Sequence, residues 1–190
     1  MIEEPYESSL KGHFLIAMPS LADPNFSQTV TFMVEHTPEG AMGLVINRVH
    51  PEFSLDLVFK ELELETVPKI ASLPLYIGGP VHMGQVFILH GPPFAWEACR
   101  PVTPSVALSN SEDIVEKLAQ GKGPESFFLT IGCAGWGPGQ LEAEIMANSW
   151  LNCPATEDVI FRSPVENRWQ EAAKIMGIDP SRLADTVGHA

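Results

Sequence analysis

Between Gly132 and Gly139 the chain reads Gly-Cys-Ala-Gly-Trp-Gly-Pro-Gly, the sharpest candidate for chemistry in the sequence. It lies between an expected strand and an expected helix, as phosphate-cradling loops do. Its glycines would let backbone N–H groups approach a ligand, and a helix N-terminus would favour an anion there. Three features oppose that reading. The Walker Lys-Ser/Thr pair is absent, the spacing is not GxGxxG, and Glu142 and Glu144 stand where the first helical turn would meet a negative ligand. A tight turn with Trp136 packed as an anchor is the preferred alternative, because glycine is the default where backbone bends sharply.

The other reactive types offer less. His13, His36, His50, His82, His90 and His189 include no HExxH motif and no i, i+4 pair on a helix, so they are read as structural or surface residues and no metal site is expected. Glu142 and Glu144, two apart on a helix, point about 200° from each other and cannot act as a facing acid and base. A solvated face suits them. Cys133 near a helix start could be an activated thiolate, but a buried inert thiol is preferred. Ser20, Ser27 and Ser111 lack a GxSxG elbow, and no nucleophile arrangement or cofactor is indicated.

The elements that must position these residues belong to a chain of 190 residues, 45% apolar and 18% charged, which suits one globular domain over 1–190. Twenty-four Asp and Glu against 11 Lys and Arg leave a net charge of −13, which repels phosphate backbones and anionic lipid. The cations are scattered, the closest two five positions apart, and Arg162, Arg168 and Lys174 are read as an ordinary solvated helix face. Neither nucleic acid nor membrane is expected as a partner. Cys99, Cys133 and Cys153 form no CxxC, the N-terminus through Glu7 is acidic, and no apolar run approaches the roughly 18–20 residues of a membrane span. A reducing, cytoplasmic location is expected.

Along the chain, Lys11–Met18 reads as a buried strand, and Gln28–His36 with Ala41–Arg48 as a hairpin turned by Thr37–Gly40. Ser54 precedes a helix over Leu55–Leu64, and Pro68–Pro74 is a connector. Strands are expected at Leu75–Ile77 and Gly84–His90, a loop from Gly91 to Pro104, and an edge strand at Val106–Leu108. A capping box at Ser109–Glu112 opens a helix to Gln120, and Ser126–Gly132 is a strand running into the glycine loop. Gln140–Asn148 is read as helix, Trp150–Cys153 as strand, and Thr156 as the start of a helical turn. A last helix takes Ser163 as N-cap, Pro164 as its first residue and Gly177 as its stop. Strands and helices mixed without strict alternation favour α+β over a doubly wound sheet.

The run from Gly12 through Met18-Pro-Ser-Leu-Ala-Asp-Pro-Asn-Phe26 to Val30, continued by Glu35-His36 and Gly40–Asn47, resembles the bacterial YqgE/AlgH family. Gly78-Gly-Pro-Val81, Gly135-Trp136, Gly139–Glu142, Trp150-Leu151 and Gly188-His-Ala190 are similar to its later motifs, so the likeness extends from Leu10 onward. Cys133 departs from it, standing where members often carry Tyr. The resemblance implies a single α+β domain with a bifurcated mixed β-sheet and a small barrel, flanked by helices. It implies no mechanism. Some members are labelled transcriptional regulators, a label owed to an association with alginate production. No helix-turn-helix with basic recognition residues is present here, and direct DNA binding is disfavoured. The preferred reading is a binding or regulatory module acting through a protein partner or small ligand, with Asp23, Asn25, Asn47, Gly135, Trp136 and Gly139 as the surface. The alternative is an enzyme holding an anionic substrate at Gly132–Gly139.

Overall fold

The computed structural model describes residues 9–178, so the closing motif Gly188–Ala190 and His189 lie outside the described residues. The chain forms β1 (His13–Ala17), β2 (Val30–Thr37), β3 (Gly40–Val45) and β4 (Val49–Ser54), then α1 (Leu55–Glu61), α2 (Pro68–Ala71), β5 (Pro74–Ile77) and β6 (Val81–His90). It continues through β7 (Arg100–Thr103), β8 (Val106–Ser109), α3 (Glu112–Ala119), β9 (Phe127–Trp136), α4 (Gln140–Met146), β10 (Trp150–Pro154) and α5 (Arg168–Ile175). The main path runs β10-β1-β2-β3-β9-β6-β8-β7, every pairing antiparallel. β5 adds a parallel pair, Tyr76 to Thr130 and Ile77 to Ile131, and carries β4 on its other side.

The fork expected of the fold lies on β9. β3 takes Ala134–Trp136 and β5 takes Thr130–Ile131, both on the edge opposite β6. Gly78 joins the branches: its N–H donates to Ile131 O at 2.9 Å and its carbonyl accepts Val45 N–H at 2.8 Å. The small barrel is not closed. The sheet curls until a Cβ placed on Gly12 would lie 3.1 Å from Thr103 Cγ2, yet no strand pairing joins β7 to β1.

Both faces of the sheet are covered, which is why strands such as β1 are apolar without a break. Phe14 and Ile16 join Phe32, Leu44, Phe87 and Leu89 under α5, while Leu15 and Ala17 pack with Met33, Trp136 and Trp150 beside α4. A third cluster sets Leu55, Phe59, Ile114 and Leu118 of α1 and α3 on Ile88 and Leu129. Each large buried side chain supplies roughly 1.5–3 kcal/mol of transfer free energy.

Several local expectations are corrected. The Gly91–Pro104 segment contains β7 despite Pro101, because β7 is the outermost strand, where a missing donor is tolerated. Val106–Leu108 is interior for the same reason. The connector after Pro68 holds one helical turn, and β4 follows Arg48 as a largely exposed arm that carries no burial pattern to announce it. The turn after Thr156 is π-type over Asp158–Arg162, closed by Ser163 N–H on Asp158 O at 2.8 Å. The last helix starts late. Ser163 and Pro164 are extended, Val165–Asn167 is a 3₁₀ turn, and α5 opens only at Arg168. Arg168 is not on a solvated face, because its side chain is folded back into the core beside Tyr76 and Phe128.

Candidate functional site

The presumed glycine loop is mostly strand. β9 runs through Gly132 to Trp136, with Cys133 opposite Val81 and Ala134, Gly135 and Trp136 opposite Gly43, Met42 and Ala41, so the ladders occupy the backbone of Cys133–Trp136. Gly132 has φ +69°, and a Cβ there would stand 2.4 Å from Gly79 O. At Gly79, with φ +148°, a Cβ would stand 2.4 Å from the Cys133 carbonyl. These glycines serve the close passage of two backbones beside the fork. Cys133 is buried there and its burial pushes the thiol above its ordinary value, the opposite of activation.

Trp136 is a packed anchor, although it ends a strand and does not sit in the expected tight turn. Glu144 Oε2 accepts both indole N–H groups, Trp136 at 2.9 Å and Trp150 at 2.8 Å, while its Oε1 accepts Gln140 Nε2 at 2.9 Å. Gln140 Oε1 in turn accepts the Gly137 N–H at 3.0 Å. Phe26 stacks on Trp136 at 6.1 Å and meets Trp150 edge-on at 5.5 Å. His36 is buried and its Nδ1 accepts the Leu10 N–H at 3.0 Å, which fixes the proton on Nε2, the donor to Glu142 Oε1 at 3.1 Å. Glu142 and Glu144 are therefore structural acceptors and do not form a solvated face.

A second buried pair has the form of catalytic machinery without its access. His90 Nδ1 faces Gly91 O at 2.6 Å, so it bears the proton, and Nε2 accepts from Ser109 Oγ at 2.9 Å. Both residues are fully buried and have no face for a substrate. Desolvation holds the His90 pKa below its usual value, against the opposing hydrogen bond to Gly91 O.

The remaining candidates lie around the fork. Asp23 Oδ1 accepts the Asn25 N–H at 2.8 Å, an Asx turn that shapes the loop between β1 and β2. Arg48, just after β3, holds this loop by donating from Nη1 to Pro24 O at 2.8 Å and from Nη2 to Ser27 O at 3.0 Å. Burial lowers the Arg48 pKa and Asp23 opposes that shift, which leaves the guanidinium charged. Asn47 is a strut: its Oδ1 accepts Val30 N–H and its Nδ2 donates to Gln28 O, each at 2.8 Å. A cleft of about 270 Å³ opens between Asn25, Val45, Arg48, Ile77, Gly79, Pro80 and Met83. On the other side of Arg48, a cavity of about 400 Å³ is bounded by Gln28, Asn47, Glu166 and Gln170.

Asn25 and Asn47 thus flank Arg48 in separate cavities, and Trp136 belongs to the closed cluster, reached from Asn25 only through the neighbouring Phe26. Gly135 and Gly139 line neither space, and Gly139, with φ +71°, is the left-handed residue that turns the chain into α4. The sequence reading missed Arg48, Gly79 and Met83. The signal for them was the Gly78-Gly79-Pro80 break and the placement of Arg48 at the end of the expected hairpin.

A fold of this kind, with a forked sheet, is matched by known proteins. The AlgH-like family model matches residues 14–181. UPF0301 proteins are similar over nearly their whole length. The one from Desulforapulum autotrophicum is 44% identical over 95% of this chain and 96% of its own, and the one from Saccharophagus degradans is 46% identical over 96% and 89%. The solution structure of the AlgH protein from Pseudomonas aeruginosa superposes with a TM-score of 0.78 at 40% identity, covering 100% of both chains. A Corynebacterium diphtheriae protein shares the fold at a TM-score of 0.68 and 21% identity, over 95% of this chain and 93% of its own. The chain belongs to the AlgH-like family.

Proposed function

We propose that this chain, one YqgE/AlgH-like domain, is a cytoplasmic binding or regulatory module that acts through a protein partner or small ligand held at the fork cleft. The observation that carries the reading is the cleft itself. It is seated on Val45, Ile77 and Met83 of β3, β5 and β6, offers Asn25 and Arg48 as polar contacts, and is rimmed by Met83, which is 47% exposed. The enzyme reading is the less favoured one, because the Cys133–Trp136 part of its loop lies in the ladders with β3 and β6. Direct DNA contact stays disfavoured, since Arg168 is buried and cannot join a phosphate footprint with Arg162 and Lys174. Among the described residues, no helix is long and apolar enough to cross a membrane.

The test compares the wild-type chain with Met83→Glu in a thermal-shift screen of nucleotides and metabolites, then by capture on the immobilised proteins. A ligand or partner that engages the wild type, is not turned over, and is lost from Met83→Glu is the expected result. Equal engagement of both chains, or catalytic turnover, refutes the proposal.

A further inference from the structure

The geometry points to a second ligand site, separate from the fork cleft, in which Arg168 receives the carboxylate of a small organic monoanion. Arg168 is 4% exposed, and every group that contacts its guanidinium is neutral. Nε donates to Ser163 O at 3.1 Å and Nη1 to Ile46 O, and the Tyr76 and Phe128 rings lie 5.4 and 5.6 Å from Cζ. Among the described residues no carboxylate stands within ion-pair distance of it. Glu166 acts on it only through its field. A guanidinium is always charged, and buried cations are ordinarily paired with an anion. Cation–π contact and carbonyl oxygens offset part of its desolvation and supply no countercharge.

Arg168 borders a cavity of about 190 Å³ whose other walls include Tyr76, Ser126, Leu73, Phe161 and the exposed Glu125. The chemistry of these walls selects the occupant. With Nε–H and one Nη1–H donated to Ser163 O and Ile46 O, the Nη2 N–H groups remain to meet a carboxylate, and the Tyr76 and Ser126 hydroxyls add donors. Leu73 and Phe161 accept an apolar body. Glu125 adds a negative charge at the wall, which penalises a dianion such as phosphate more than a monoanion.

The test uses the full chain at fixed ionic strength, with benzoate as the probe, benzamide as its neutral analogue and inorganic phosphate as the dianion, read by NMR shifts of the Arg Nε–H signals and by thermal shift. Benzoate is expected to saturate at millimolar concentration and to bind at least about tenfold more tightly than benzamide, the worth of one charge-assisted hydrogen bond. Arg168→Met and the cavity-filling Ser126→Leu should each abolish the response, and Glu125→Gln should tighten it by about two- to threefold. No saturable benzoate response in the wild type overturns the proposal. So do equal binding of benzamide, tighter binding of phosphate, a response that survives Ser126→Leu, or a Glu125→Gln chain with unimproved affinity. Should Arg168→Met fail to fold, the wild-type titrations and these two variants decide the outcome.

Discussion

At Trp136 the end of β9 is closed by side chains, whereas four residues earlier, at Gly132, the same strand packs behind Gly79 and Met83, two residues that line the open cleft. Around Trp136 and Trp150 each indole N–H has an acceptor on Glu144, and Gln140 and Gly137 extend the network. Around Gly132 the side chains have been removed so that the backbones of Gly79 and Cys133 can pass, and the neighbouring cleft keeps the Asn25 amide and the Met83 thioether exposed. Polar groups that satisfy one another make a brace, and groups held in place without covering partners make a surface for something else. The glycine-tryptophan run in the sequence joins both regions in one string, and only their partners tell them apart.

The largest way to break this contrast is at the glycines. Gly132→Ala puts a Cβ 2.4 Å from Gly79 O at a positive φ, so a loss of about 4 kcal/mol or outright misfolding is expected in denaturant titrations. Gly135→Ala, whose Cβ would meet only Val81 Cγ2 at 3.7 Å, should stay within about 0.5 kcal/mol of wild type. Next in size, Glu144→Ala strands two buried indole donors and should cost about 2–4 kcal/mol, with tryptophan fluorescence reporting the loosened pair. Equal costs for the two glycine variants, or a silent Glu144→Ala, would erase the distinction.

The buried His90–Ser109 pair sharpens the comparison through pH. Its pKa is depressed in the folded chain, so below the ordinary value of 6.5 the unfolded chain binds the proton that the folded chain resists. Stability should be full above that value and fall as pH drops from 7 towards 5. His90→Asn should be weaker at pH 7 and show a shallower slope over that window. The smallest effect belongs to the open region: Met83→Glu, the variant that should abolish binding at the cleft, should change stability by no more than about 0.5 kcal/mol. A large loss there would make Met83 part of the brace.

Much of the fold was legible because its signals are local. The β2–β3 hairpin carries β-branched strands and a Pro-Glu-Gly turn, α1 appears where helical spacing placed it, α3 opens at Glu112 with Ser111 as its N-cap in place of the expected Ser109, and α4 forms where helix-forming residues outweigh an alternating pattern. β7 was not legible, since Pro101 excludes a central strand and only its outermost position makes it admissible. Ser163 and Pro164 carry an N-terminal helix signature, yet the chain there stays extended and Ser163 O receives the Arg168 side chain. The site was half legible. Asp23, Asn25 and Asn47 do shape the loop and hairpin beside the cleft, while Arg48 had no motif to mark it.

The sequence by itself determined the α+β class, the family, the acidic surface and the scattering of its cations, because composition, periodicity and long matched runs are properties of the chain read in order. Only the tertiary structure decided which polar groups are spent. Glu142, Glu144 and Arg168 look alike in sequence, as charges on solvated helix faces. Folding gives His36 to the first and two indoles to the second. The third is left buried among neutral acceptors, because the free energy of a charge depends on what the fold brings within a few ångströms of it.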